Sequence, residues 1–279
     1  MIYNFIDKPL FIVGDIHGDF KFFFNKILTE NYQNSIFIIA GDVGIGFERE
    51  NHYTQLLQKY KKKFYQYNIT ILCVRGNHDD PMYFNYKKID LPYFKTIPDY
   101  SVINLQYLAE NREVNVLCVG GAISIDRIIR LKENHKSIVT HNIYNSKDSY
   151  VKKYYWEDEA PVFDENQLDK LNEDNIMIDF VVSHTAPSFC QLITKDGVRN
   201  WMIYDPDLEK DMDAERHVMD KIFNKLKEDH HPLKGWTYGH FHKHISENIE
   251  GIQYTMLDCI QNRLDIQEID CISNGRKIN

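Results

Sequence analysis

Three short apolar runs punctuate the first eighty residues: LFIV at 10–13, IFIIA at 36–40 and ITILCV at 69–74. Each stops at a polar block, and DFKFFFNKILTE and roughly residues 50–65 follow the first two blocks with apolar positions at helical spacing. Short Val/Ile-rich runs separated by amphipathic segments predict strand–helix–strand units and a mostly parallel sheet, whose ligands gather at the carboxyl ends of the strands. Beyond residue 100 the pattern becomes more strand-like, with SVINLQYL and then VNVLCVGG. Residues 122–160 are polar and aromatic without clear period, and read as a long excursion from the core. DENQLDKLNED predicts a helix, IMIDFVVS a strand ending at His184, and residues 211–229 a polar helix. The tail, GWTYGHFHKHISENIEGIQYTMLDCIQNRLDIQEI, alternates like antiparallel strands. No repeat or linker divides the chain, so residues 1–279 are expected to form one domain.

Chemistry sits where the apolar runs stop. Five blocks offer oxygen or imidazole groups there: Asp15 with His17, Asp42, Asn77 with His78, His184, and His240 with His242. Extended chain puts residues two apart on one side, so Asp15 and His17 are expected to address one point, and His240 and His242 another. Any single block is usually a turn or a hydrogen-bonded histidine; five at successive strand ends point to a metal site. A carboxylate and imidazole mixture suits Mn, Fe, Zn or Ni better than Mg or Ca. Seven ligands with one shared fit two ions. Only Asp15 and Asp42 would be anionic, so two divalent cations leave about +2 of charge and favour a phosphate group.

GDIHG, GDVG, GNHD, the isolated His184 of VVSHTAP, and GHFH stand in the order found in calcineurin-like metallophosphoesterases, and the chain resembles the small bacterial and phage-type members of that family. The resemblance implies an α/β fold of four αββα layers, two mixed sheets face to face with helices outside. It implies that Asp15, His17 and His242 hold one divalent ion, that Asn77, His184 and His240 hold the second, and that Asp42 bridges them, with manganese placed first among the metals. The implied activity is hydrolysis of a phosphomonoester or phosphodiester by in-line attack of a metal-bridging hydroxide. His78 matches the catalytic histidine at the leaving group, and Asp79 is expected to hold its imidazole. Asp80 is expected to be a solvated turn residue. The protein serine/threonine phosphatases extend the second block to GDxxDRG, whereas here it reads GDVGIGF. That activity is therefore the alternative reading, and a non-catalytic metal-binding scaffold a more distant one. A glycine-serine-aspartate-arginine block in GGAISIDRIIRL offers Arg127 and Arg130 as phosphate-binding candidates, against the simpler expectation that both lie on a surface helical turn.

Composition narrows the partners. The chain is 43% hydrophobic and 27% charged, with no apolar run of membrane-spanning length. MIYNFIDKPLFIVGD lacks the marks of a signal peptide, so a cytoplasmic protein is expected. Five cysteines without a CxxC pair argue against disulfides and thiolate zinc. A net charge of −8 argues against non-specific binding to nucleic acid or anionic lipid, and KYKKKF at 59–64 reads as a solvated helix face. A phosphate-ester substrate is the one partner expected. Its identity and the oligomeric state are left open.

Overall fold

A computed structural model describes residues 1–143, 150–190 and 195–278. The three apolar runs become neighbouring parallel strands, Leu10–Val13, Ile36–Ala40 and Thr70–Val74. All three are buried along their whole length, as strands covered on both faces must be. Phe94–Thr96 extends this sheet in parallel, and Ile266–Ile269 and Asp90–Leu91 close its edges antiparallel. The second sheet runs Ile2–Ile6, Ser101–Tyr107, Arg112–Val119, Phe180–Ser183, Gly235–Tyr238, Ile252–Met256, Ile245–Ile249, with Arg276–Lys277 beside Arg112–Val119.

Three apolar layers hold the stack. Leu10, Ile12, Ile38 and Leu72 of the first sheet face Ile103, Val116 and Val182 of the second. The outer face of the first sheet, with Val13, Ile39 and Ile71, packs on Phe23, Phe24 and Ile27 of helix Phe20–Thr29 and Leu57 and Phe64 of helix Glu50–Tyr67. The outer face of the second, with Leu117, Val181 and Trp236, packs on Leu168 and Leu171 of helix Glu165–Glu173 and Met219 and Ile222 of helix Leu208–Glu228. The chain is thus an αββα sandwich of two mixed sheets, as the resemblance implied.

Several elements depart from the pattern. Gly235–Tyr238 is parallel to both its neighbours, because alternation reports which face a residue occupies and not the direction in which its strand runs. Only the hairpin Ile245–Ile249 with Ile252–Met256, and Ile266–Ile269 against Leu10–Val13, are antiparallel among the described strands of the tail's predicted run. The excursion at 122–160 holds a helix, Arg127–Ile143, and its two ends enter the interior: Ser124 is 1% exposed and Glu159 0%. Residues 144–149 of it lie outside the described residues. Among the described residues no helix is long and apolar enough to cross a membrane.

Candidate metal centre

All five polar blocks meet over the carboxyl ends of Leu10–Val13, Ile36–Ala40 and Thr70–Val74 in one sheet and Phe180–Ser183 and Gly235–Tyr238 in the other. Backbone bonds tie the loops to one another. His17 N–H donates to Asp42 O at 2.8 Å, and His240 N–H to Asp15 Oδ2 at 3.1 Å. His78 N–H donates to Asp42 Oδ1 at 2.8 Å. The buried His184 reaches across the sheets, its Nδ1 2.8 Å from Ala40 O. Packing is close enough to demand glycine: a Cβ on Gly76 would fall 2.1 Å from Asp42 Oδ1, and one on Gly41, which has φ +94°, would fall 2.1 Å from His184 Nδ1.

Convergence does not come from strand alternation. His17, Asp42, His240 and His242 have φ of 44°, 45°, 69° and 54°, so each sits in the left-handed region. This corrects the extended-chain expectation. In particular His240 and His242 address different points: the ring of His240 lies 4.9 Å from that of His184, whereas His242 Nε2 lies 3.0 Å from His17 Nε2.

Two donor groups result. In the first, Asp15, His17, Asp42 and His242 each offer a ligand atom, all within 4.8 Å of one another. His242 Nε2 is 3.1 Å from Asp15 Oδ2, and His17 Nδ1 is 3.7 Å from Asp42 Oδ2. In the second, His184 Nε2 lies 2.9 Å from Asn77 Oδ1 and 3.1 Å from Asp42 Oδ1, with His240 alongside. Asp42 therefore turns one oxygen toward each group.

These residues fit a pair of divalent cations. Two imidazole nitrogens 3.0 Å apart can share at most one proton between them, and their lone pairs and the buried carboxylates aim inward. Protons stand in for metal charge. Burial opposes a charge on His184, yet Asp42 raises its pKa to about 9; Asp15 likewise raises His242 to about 10 against burial. Burial works against Asp42 too, but His78, His184 and His17 hold its carboxyl well below the usual range. His240 is lowered by burial and by His184.

His78 lies beside both groups, its ring 5.1 Å from that of His17, and its Nε2 is 3.0 Å from Arg130 Nη2. Burial, with Arg130 adding to it and Asp42 opposing, lowers His78 to about 4. Asp79 departs from its expected place. Its fully buried carboxylate accepts from the backbone N–H of Val43, Gly44, Ile45 and Gly76, so it ties the Asp42 and Asn77 loops together and does not hold the His78 ring. Four backbone donors within reach leave it no free lone pair for an imidazole. Asp80 caps the short helix Pro81–Asn85 by accepting from Met82 N–H.

The two excursion arginines part company. Arg127 is spent on Asp205, its Nε donating at 2.5 Å, and on Asp211 at 2.7 Å. Arg130, braced by Asp126 at 2.6 Å, turns to His78. Arg75 is buried, donating to the carbonyls of Glu159 and Ala160 and pairing with Asp99, which fastens the end of the excursion to a strand end. Sequence reading missed Ser124 and Glu159, of which Ser124 touches Asn77 and the two touch each other. No periodicity marks them, and the stretch KYYWEDEAP holds three acids, Glu157, Asp158 and Glu159, with nothing to single out the last. His244 points away, exposed and bonded to Asp265.

A family model described as calcineurin-like phosphoesterase matches residues 8–244, which include every strand-end block. Among solved structures, a dimetal phosphatase from Danio rerio is 14% identical, with a TM-score of 0.48 over 90% of this chain and 87% of that one. The phosphopantetheinyl hydrolase of Mycobacterium tuberculosis is 14% identical, with a TM-score of 0.41 over 91% and 90%. A search of curated proteins found no match. With the family match running through most of the chain and all of the site, this protein belongs to the calcineurin-like phosphoesterases and is a metal-dependent hydrolase of phosphoric esters.

Proposed function

We propose that the protein hydrolyses phosphate monoesters or diesters with two divalent cations, manganese first among them, held by Asp15, His17, Asp42 and His242 on one side and by Asp42, Asn77, His184 and His240 on the other. The observation that carries this reading is Asp42, buried, with Oδ2 toward His17 and Oδ1 toward His184. When bound, the cations supply Lewis-acid polarisation of the phosphate and activation of a water.

The protein's own groups do the rest. Arg130 is placed to take a phosphate oxygen, since a guanidinium bonds an anionic oxygen more strongly than a neutral imidazole nitrogen. Drawing Arg130 to the phosphate removes one cause of the lowered His78 pKa and frees Nε2 to face the departing oxygen, where it can hold the proton that the alkoxide needs. Asp79 keeps the Asp42 and Asn77 loops in register. The surplus positive charge of the loaded site supports phosphate esters over neutral substrates.

The test is turnover of an aryl phosphate monoester and diester by protein stripped with a chelator and then given Mn²⁺. Activity should vanish and return. His78→Ala should retain its metal while losing about 100-fold or more on esters with poor leaving groups. Metal-independent turnover, or a His78→Ala variant as fast as wild type on such esters, would refute the reading.

A further inference from the structure

Asn77 has two ends that are nearly the same in shape and opposite in chemistry. One is a carbonyl oxygen that a cation attracts; the other is an NH2 group that a cation repels. The 4% exposed side chain presents its oxygen to His184 Nε2 at 2.9 Å, while its Nδ2 donates to Ser124 Oγ at 2.9 Å. A hydroxyl that accepts there must send its own hydrogen elsewhere. Ser124 Oγ–H goes to Glu159 Oε2 at 2.5 Å, and the other oxygen, Oε1, accepts from Ser124 N–H at 2.7 Å. Donation therefore runs one way, from Asn77 to Ser124 to Glu159. All three residues are buried, away from bulk water.

The end of the relay is fixed in place. Glu159 O accepts from the Arg75 guanidinium at 2.7 Å and from Ala122 N–H at 3.2 Å, and Ile123 N–H donates to Glu215. The backbone N–H of Ser124 cannot become an acceptor, so whatever occupies position 159 must present an oxygen to it. We propose that Ser124 and Glu159 are positioning residues that set the polarity of the Asn77 side chain, turning its oxygen and not its NH2 toward His184 and the ion pocket; this rests on the two-ion reading of the site.

The relay makes a prediction that a purely structural role does not. In Glu159→Gln the amide oxygen is held by Ser124 N–H, so its NH2 must donate to Ser124 Oγ. The hydroxyl hydrogen is then driven toward residue 77, and Asn77 turns its NH2 to the pocket. Adding Asn77→Asp removes the donor end: a carboxylate accepts from Ser124 and still offers oxygen to the ion.

The experiment titrates metal-free full-length protein with Mn²⁺ alone under anaerobic conditions, counting free ion and the exchange-coupled pair by electron paramagnetic resonance. Burial pushes the Glu159 carboxyl up to about 8 against the two bonds from Ser124. The titrations therefore belong at about pH 8.5 or above, where most of it is ionised. Wild type should bind two ions. Glu159→Gln should keep the first and bind the second about 10–100-fold more weakly. Glu159→Gln with Asn77→Asp should recover the second ion. Ser124→Ala, with and without Asn77→Asp, should repeat the pattern and carries the test if the Glu159→Gln variant fails to fold. Wild-type affinity for both ions in Glu159→Gln and Ser124→Ala, equal weakening of both ions, or no recovery with Asn77→Asp would overturn the relay. A wild type that binds no second ion would overturn the two-ion reading and this inference together.

Discussion

Arg127 and Arg130 are one helical turn apart, carry the same charge and have opposite fates. Arg127→Ala loses ion pairs with Asp205 and Asp211 in a partly exposed setting, an effect of about 1–2 kcal/mol on stability. Its kcat/KM should stay within about threefold of wild type. Arg130→Ala should do the reverse: kcat/KM falls about 10–100-fold, the worth of one charge-assisted hydrogen bond to the substrate, while loss of its i,i+4 ion pair with Asp126 costs stability only about 0.5 kcal/mol. Steady-state kinetics and thermal melts on the two variants check the split, and equal kinetic losses would refute it. Sequence offered both arginines without distinguishing them. The partner that neutralises Arg127 at its Nε lies 78 residues away, and nothing local announces it. The same holds for Asp79: its neighbour in sequence is His78, but its carboxylate is used up by a loop about 35 residues earlier.

Among elements, those that were legible share a cause. Leu10–Val13, Ile36–Ala40 and Thr70–Val74 are unbroken apolar runs because both their faces are covered, and Phe20–Thr29 shows its buried stripe as Phe20, Phe23, Phe24 and Ile27. Helix Arg127–Ile143 was not legible, since Ile129, Ile138 and Val139 are exposed and blur the period. Nor was the left-handed backbone at four of the seven proposed ligands, which Asp and His tolerate better than most residues but which no local pattern marks. The loops that carry them depend on Asp79. Asp79→Ala leaves four buried N–H groups without a partner, at about 1 kcal/mol or more each, so a loss of at least about 4 kcal/mol is expected. Chemical denaturation measures it. Normal stability with reduced kcat would instead restore Asp79 to the role of holding His78.

For the molecule as a whole, metal and protons compete for the same groups. With their pKa values raised to about 9 and about 10 from an ordinary 6.5, His184 and His242 carry protons at pH 8 in the metal-free protein. Cation binding should release about two protons per molecule at about pH 8, and affinity should rise with pH until those values are passed. Titration with Mn²⁺ in weakly buffered solution reads this directly, and an absence of proton release would contradict it. The sign for stability is opposite. These two groups favour the metal-free fold fully below about pH 6.5, and that gain is lost as pH climbs through about 9 to 10. Between about pH 7 and 10 the stripped protein should therefore melt at falling temperatures while the loaded protein changes less.

The seam between the sheets bears on all of this. Asp15, Asp42 and Asn77 ride on one sheet and His184, His240 and His242 on the other, with Leu72, Ile38, Val116 and Val182 between them setting their mutual alignment. A slide of about 1 Å between those flat faces would leave every layer intact and displace half of the cage relative to the other half. Conservative changes of bulk deep in that interlayer, far from any chemistry, are therefore where catalysis is most exposed to silent loss.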